Sequence, residues 1–318
     1  ALAMTVVSGL GLRHLMAASP QRVFAAGPPA AALVWMLSPE ALVGWPSRLD
    51  ADALAMLGPA AQRLPVVGRL AGRGSTVSLE SLVQWKPDLI LDVGAVGATY
   101  TSMAERVGAQ TGLRYELLDG RLAESVTVLR RAGELLGVPA RAEALARGAE
   151  RLLAEASAGR AGRASTRIYL ARGADGLETG LGGSINVEVI EYVGARNVAA
   201  AAGSGSLTRV SLEQVVAWDP DIVLTQDPTF ARAAASDPAW RTVRAIRERR
   251  VWRAPVTPFG WLDGPPSVNR LIGALWLARR LDGVPVTTIH DEVRTFYDVF
   301  YRVQLSPSDL ARLLAEQA

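Results

Sequence analysis

The chain of 318 residues contains no cysteine, so neither a disulfide framework nor a thiolate metal site is available to it. Histidine is nearly absent. His14 and His290 are the only two, too few for a histidine-rich site gripping a bare transition metal. Lysine is rarer still: Lys86 is the single one among 34 basic residues, and all the others are arginine. The formal charge is only +3, and no basic run alternates with aromatics, so a nucleic-acid partner is not expected. No run of about eighteen apolar residues occurs, so no segment reads as a membrane span. The opening "ALAMTVVSGLGLRHL" lacks the charged-then-apolar layout of a secretory signal and fits what stays after a signal segment is removed. Catalytic signatures are missing too. There is no G-x-S-x-G elbow, no Walker loop and no H-E-x-x-H, and "GLGGS" (Gly180 to Ser184) lacks dinucleotide-fingerprint spacing. Neither an enzyme nor a cofactor is expected.

What is present reads as a globular protein, 49% hydrophobic and 20% charged, long enough for two domains. Its most informative feature is a repeat. "VSLESLVQWKPDLIL" (Val77 to Leu91) returns 133 residues later as "VSLEQVVAWDPDIVL" (Val210 to Leu224), with nine of fifteen positions identical. In each copy a serine, Ser78 or Ser211, is placed to cap a short helix. A Trp-x-Pro-Asp turn then breaks it, and an unalternated apolar run reads as a parallel strand covered on both faces. Trp85 and Trp218 sit at matching places and suit the core of each unit.

The chain therefore reads as two homologous α/β lobes. "RVFAAGPP" (Arg22 to Pro29) and "RIYLARG" (Arg167 to Gly173) are the expected opening strands, each leading through glycine to a helix, Ala30 to Leu37 and Asn186 to Val193. Further strands are expected at Leu64 to Gly68, Tyr115 to Leu118 and Val251 to Ala254. Between the lobes, Arg121 to Ala158 is the most helix-prone stretch, interrupted at Gly137 and restarted at Pro139. Its second piece reads as a strut. The expected division is a first lobe over 20–120, a connecting helical segment over 121–160 and a second lobe over 161–318 with C-terminal helices.

The paired "VSLE" units, "GGSINVEVIEYVGARNVA" (Gly182 to Ala199) and "VTPFGWLDGPPSVNRLIGALWLARRL" (Val256 to Leu281) together resemble the helical-backbone class of substrate-binding proteins of ABC importers. That class serves ferric siderophores, haem, vitamin B12 and some oxyanions, and the last stretch is similar to a branch with ferric-chelate and molybdate or tungstate binders. The resemblance implies two Rossmann-like lobes with central parallel sheets, one long connecting helix and a ligand cleft between lobes. It also implies an extracytoplasmic (periplasmic or lipid-anchored), monomeric protein that delivers its ligand to an inner-membrane permease. The expected ligand is an anionic metal chelate such as a ferric siderophore, with a molybdate-type oxyanion as the alternative and an enzyme or sensory module as a remoter one.

Ligands of open α/β sheets bind beyond the carboxyl ends of the strands, which directs attention to particular loops. Pro28 and Pro29 follow the first strand, either as part of a partial anion hole or as a rigid start to a helix. Trp45, Phe259 and Trp261 lie in Gly/Pro-rich loops, where flat aromatics suit a bulky ligand; Phe259 and Trp261 are the preferred cleft walls. Arg69 and Arg172, one from each lobe, are placed to clamp an anion, or are ordinary surface arginines. Tyr100 and, less strongly, Thr229 follow the two repeat strands. Asn186 can reach ligand or cap its helix, with capping preferred. Glu80 and Glu213 occupy the same place in both copies. Alone they read as dipole-favoured helix starts; in vitamin B12 binders the equivalent glutamates pair with permease arginines, so the resemblance implies a docking role.

Overall fold

The computed structural model of the protein describes residues 22–71 and 74–315; His14 and the opening segment lie outside them. In chain order the strands are β1 (Val23–Ala25), β2 (Leu89–Gly94), β3 (Arg114–Asp119), β4 (Arg167–Ala171), β5 (Glu178–Gly180), β6 (Arg196–Asn197), β7 (Leu207–Arg209), β8 (Ile222–Thr225) and β9 (Val251–Arg253). One parallel sheet runs β1-β2-β3, and a second parallel sheet runs β6-β4-β8-β9. The order β1-β2-β3 thus reappears as β4-β8-β9. β2 and β8 close the two repeat copies, and their apolar runs are buried in both sheets.

The duplication extends to individual bonds. Ser78 accepts from the Ser81 N–H at 3.0 Å, and Ser211 from the Gln214 N–H at 3.3 Å, so each repeat helix (Leu79–Gln84 and Leu212–Trp218) carries its expected cap. Lys86 and Asp219, each just before its proline, both adopt left-handed backbone, with φ of 48° and 41°. That conformation costs a non-glycine residue about 1 kcal/mol, and both turns accept it. The next acid then ties back to the strand that opens its lobe. Asp88 accepts from the Arg22 N–H at 3.0 Å and Asp221 from the Arg167 N–H at 2.8 Å, while both aspartates donate their own N–H to those arginines' carbonyls at 2.8 Å.

Two expected elements differ. Leu64 to Gly68 forms no strand, only an isolated bridge from Val66 to Trp45, because Pro65 lacks a donor and Gly68 turns to φ 84°. The helix expected from Asn186 begins at Glu188. The segment 121–160 holds two helices, broken at Gly137 and restarted at Pro139 as expected, and they form a hairpin. Gly137 ends Ser125–Leu136 in left-handed backbone, and Pro139–Ser157 folds back along it. A Cβ on Gly133 would sit 2.0 Å from that of Ala142, so the helices touch backbone to side chain. At 19 residues the second helix is about 28 Å long, and its apolar stripe from Ala142 to Ala156 packs on its partner and on the helix Arg270–Leu281.

These helices join the lobes. One hydrophobic cluster runs without interruption from Val23, Leu89 and Leu91 of the first sheet, through Leu145, Ala149 and Leu152, to Ile168, Leu170 and Leu224 of the second. Two smaller clusters lie on the outer face of each sheet, holding Trp85 and Trp218 against their respective edges. The helix Pro28–Leu37 is buried all round from Ala30 onward. At its C-terminal end Arg141 and Arg302 donate to the Met36 carbonyl, at 3.1–3.2 Å and 3.2 Å, and Arg302 also to that of Leu37. Cations at that end complement the helix dipole. Burial lowers the Arg141 guanidinium to about 10, and Arg302 nearby acts in the same direction.

Candidate functional site

A cleft of about 1270 Å³ opens between the carboxyl ends of the two parallel sheets. It is bordered by Gly27 to Pro29 after β1, Asp92 to Ala95 at the end of β2 and just beyond it, Arg172 and Gly173 after β4, Gln226 to Pro228 after β8, and the loop from Val256 to Pro266 after β9. Parallel strands all aim their ends at this one place, which is why loops far apart in sequence converge there.

Of the expected residues, Pro28, Pro29, Trp45, Arg69, Tyr100, Arg172, Asn186 and Phe259 line the cleft; Thr229 and Trp261 do not. Pro28 and Pro29 occupy the first turn of the Pro28–Leu37 helix, so two of its N-terminal donors are missing. Trp45 is almost fully buried. Its indole donates to the Ala61 carbonyl at 3.0 Å, and its ring stands 5.2 Å from Trp35 and 6.3 Å from Phe259. Tyr100 stands on the rim, in the helix Ala98–Thr111.

Trp261 faces away from the cleft. It is 0% exposed, donates its indole N–H to the Tyr297 hydroxyl at 3.2 Å, and meets Trp276 edge-on. The helix Arg270–Leu281 passes so close that a Cβ on Gly273 would lie 1.7 Å from the Trp261 carbonyl oxygen. Thr229 is exposed in the first turn of the helix Pro228–Ala234, its N–H taken by the N-cap Asp227, and only Asp227 and Pro228 reach the cleft.

Arg172 has a different employment from that of a free anion clamp. Its guanidinium pairs with Glu178 through one nitrogen and with Asp263, at 2.5 Å, through another. Asp263 is 6% exposed and also accepts from Asn186 at 3.1 Å. Burial raises the Asp263 carboxyl, and Arg172 and Asn186 oppose that rise. Asn186 therefore steadies Asp263 and caps no helix; Val187 holds the N-cap position. Behind this group, Arg270 is 1% exposed and binds Glu188 at 2.8 Å, the Ile185 carbonyl at 2.8 Å and the Gly120 carbonyl of the first lobe.

Several lining residues escaped the sequence reading. Arg48, in the same "GWPSRLD" stretch as Trp45, is an exposed cation with no ion-pair partner among the described residues. Gln226 accepts from the Leu262 and Asp263 N–H groups at 3.1 and 2.9 Å, which fixes the loop that carries Phe259. Asp92, 4% exposed at the first-lobe side, accepts from Val93 and from the Tyr115 hydroxyl, both at 2.9 Å. Burial raises its carboxyl, against those two hydrogen bonds. The lining thus carries three arginines (Arg48, Arg69, Arg172) against five carboxylates (Asp50, Asp92, Glu178, Asp227, Asp263). Glu80 and Glu213 lie outside the cleft, exposed at the second position of their helices. Hydrogen bonds at its helix start hold the Glu213 carboxyl below the usual range. No cluster of acids and histidines among the described residues is arranged to hold a bare metal ion, and no described helix is long and apolar enough to cross a membrane.

Two lobes of this topology with an interlobe cleft define a solute-binding protein. The chain belongs to the periplasmic binding protein family, whose model matches residues 48–257, and has the two-lobe fold of its helical-backbone class. Members are extracytoplasmic components of ABC importers that hold a small solute and meet a permease. An ABC transporter solute-binding protein of Sulfurospirillum deleyianum superposes with a TM-score of 0.83 at 26% identity, over 94% of this chain and 95% of that one. The molybdate-bound structure of the molybdate-binding protein MolA of Haemophilus influenzae gives 0.73 at 21% identity, over 90% and 94%. In sequence the same MolA is 33% identical over 129 residues, which span 39% of this chain and 36% of MolA.

Proposed function

We propose that the protein captures a bulky metal chelate, of the ferric-siderophore kind, and delivers it to an ABC importer without transforming it. The observation that supports this reading is the cleft itself. At about 1270 Å³ it exceeds the roughly 300–1,000 Å³ of most small-molecule sites. Its walls are rich in proline, with Pro28, Pro29, Pro258 and Pro265 among them, and the largely buried rings of Trp45 and Phe259 border it. Arg172 is already neutralised by Glu178 and Asp263, so an anionic chelate would find its positive partner on the first-lobe side, in Arg48, with Arg69 beside it already donating to the Gly74 carbonyl at 3.1 Å, rather than in a clamp from both lobes. Asn186 and Tyr100 are proposed as polar contacts, and Thr229 as a rim residue that reaches ligand only if the helix Pro228–Ala234 shifts toward the cleft. Trp261 acts through the loop it anchors.

In this reading the protein works as a monomer in the periplasm, free or lipid-anchored, and docks on its permease through Glu80 and Glu213. A second reading, a molybdate- or tungstate-type oxyanion, is favoured by the 33% identity to a protein of that name. A single tetrahedral oxyanion would leave most of the cleft to water. Isothermal titration with ferric siderophores and with molybdate, beside metal analysis of natively purified protein, separates the two. Heat with molybdate alone would select the oxyanion, and no heat with either would overturn both.

A further inference from the structure

Seven of the nine identities between the repeat copies have an internal use. Val77/Val210, Leu79/Leu212 and Trp85/Trp218 pack against the outer core of their lobes, and Leu91/Leu224 are fully buried in the sheets. Ser78/Ser211 cap the helices, Pro87/Pro220 are buried in the turns, and Asp88/Asp221 fasten the opening strands. Two identities remain, Glu80/Glu213 and Val83/Val216. Both pairs are exposed, and they stand three residues apart on their helices, hence on one face.

A glutamate in a first helical turn has a local use in the dipole. The valines have none. Val83 is 47% and Val216 39% exposed, two of only five large hydrophobics so exposed among the described residues. Valine is also a poorer choice than alanine or leucine for a solvated helix position. The neighbours changed between the copies: Ser81 is matched by Gln214, and Gln84 by Ala217. Single exposed apolar residues are ordinary; the same one, beside the same carboxylate, at the same place in both lobes is not. Glu80 makes no hydrogen bond or ion pair among the described residues, which leaves its charge for an outside partner.

Resting on the docking role proposed above, we infer that Glu80 with Val83 and Glu213 with Val216 form two equivalent docking points, each a carboxylate beside an apolar knob. Their occupant is the permease, with two equivalent halves that each present a basic group bordered by apolar surface. The unpaired charge sets the sign of the partner, and the duplication sets its two-fold character. The charge steers and orients the encounter, and the valine, dehydrated on contact, slows dissociation.

The test uses the full chain and its importer reconstituted in nanodiscs, with association followed by surface plasmon resonance. Val83→Ala and Val216→Ala should each weaken association roughly three- to tenfold, mainly through faster dissociation, and together should multiply. Unchanged circular dichroism and melting establish that the variants fold, since alanine suits an exposed helix position. Glu80→Arg with Glu213→Arg is run in parallel. Lost association there with no effect of the double alanine variant would keep the docking role and overturn the inference. No effect of either pair would overturn both. Concentration-dependent self-association of the wild type in sedimentation, abolished by the alanine changes, would assign the valines to a second copy of this chain and also overturn it.

Discussion

Replacing Arg270 with alanine tests whether the cleft is held ready-made from behind. Arg270 is buried at the junction of the lobes, and its guanidinium serves Glu188, the carbonyls of Ile185 and Ser267, and the first-lobe carbonyl of Gly120. Burial lowers its pKa and Glu188 opposes that, the signature of a cation retained because it is paired. Truncation leaves Glu188 with the Leu122 N–H at 2.8 Å but without its ion-pair partner, and takes the guanidinium donor from the Ile185 and Gly120 carbonyls, while the Ser267 carbonyl keeps the backbone N–H of residue 270. Removing one partner of such a pair costs about 3–5 kcal/mol. At roughly 2–3 °C per kcal/mol for a long chain, melting should fall by about 6–15 °C in calorimetry or circular dichroism. Arg270→Met with Glu188→Leu removes both charges together and should recover much of the loss. Amide exchange should quicken at 120–122 and 184–188, where the lobes are tied. An Arg270→Ala protein within about 1 kcal/mol of the wild type would refute the tether and leave the shared apolar core as the main link.

Three further outcomes are expected. Burial raises the Asp221 carboxyl, but hydrogen bonds from Arg167 and Arg244 outweigh it and bring the group down to about 2. Its folded value lies below the usual carboxylate value of about 3.9, so its contribution is complete above about pH 4 and fades as pH falls toward 2. Allowing for solvent screening, Asp221→Asn should cost about 1 kcal/mol at pH 7 in urea unfolding and almost nothing near pH 2, and a difference that grows with acid would contradict this. Phe259→Ala should raise the Kd for a ferric chelate at least tenfold while Trp261→Ala should lower stability by about 3–5 kcal/mol; the reverse pattern in fluorescence titration and melting would exchange their roles. Small-angle scattering should show little change on ligand binding, because one core spans both lobes, and a clear fall in radius of gyration would mean that the lobes hinge.

The two lobes were legible in the sequence because the repeat carried a complete physical unit: a serine cap, a proline-aspartate turn and a buried strand recognisable without their partners. β5 and β7 were not. Each is three residues long, they pair antiparallel with Gly180 opposite Leu207, and nothing in so short a run distinguishes a strand from a loop. The cleft was legible as a location, since strand ends and Gly/Pro-rich loops mark it, but not as a set of side-chain directions. Phe259 and Trp261 stand two residues apart in a loop with cis peptides before Pro258 and Pro265, where no periodicity says which ring faces the cleft. What decides the matter for Trp261 is Gly273, twelve residues on, which lets a helix press against its backbone.

Arg172 shows the same limit in charge. The strand end places it by the cleft, yet its availability depends on Glu178, six residues away, and on Asp263, ninety-one residues away. Local pattern fixes where a charge is; only the fold fixes whether it is spent. The repeat partly escapes this limit, because each copy serves as a control for the other. A position kept in both copies and used inside both lobes explains itself. One kept in both and used inside neither, as at Val83 and Val216, points out of the molecule, and that comparison needs nothing beyond one sequence and its solvent exposure.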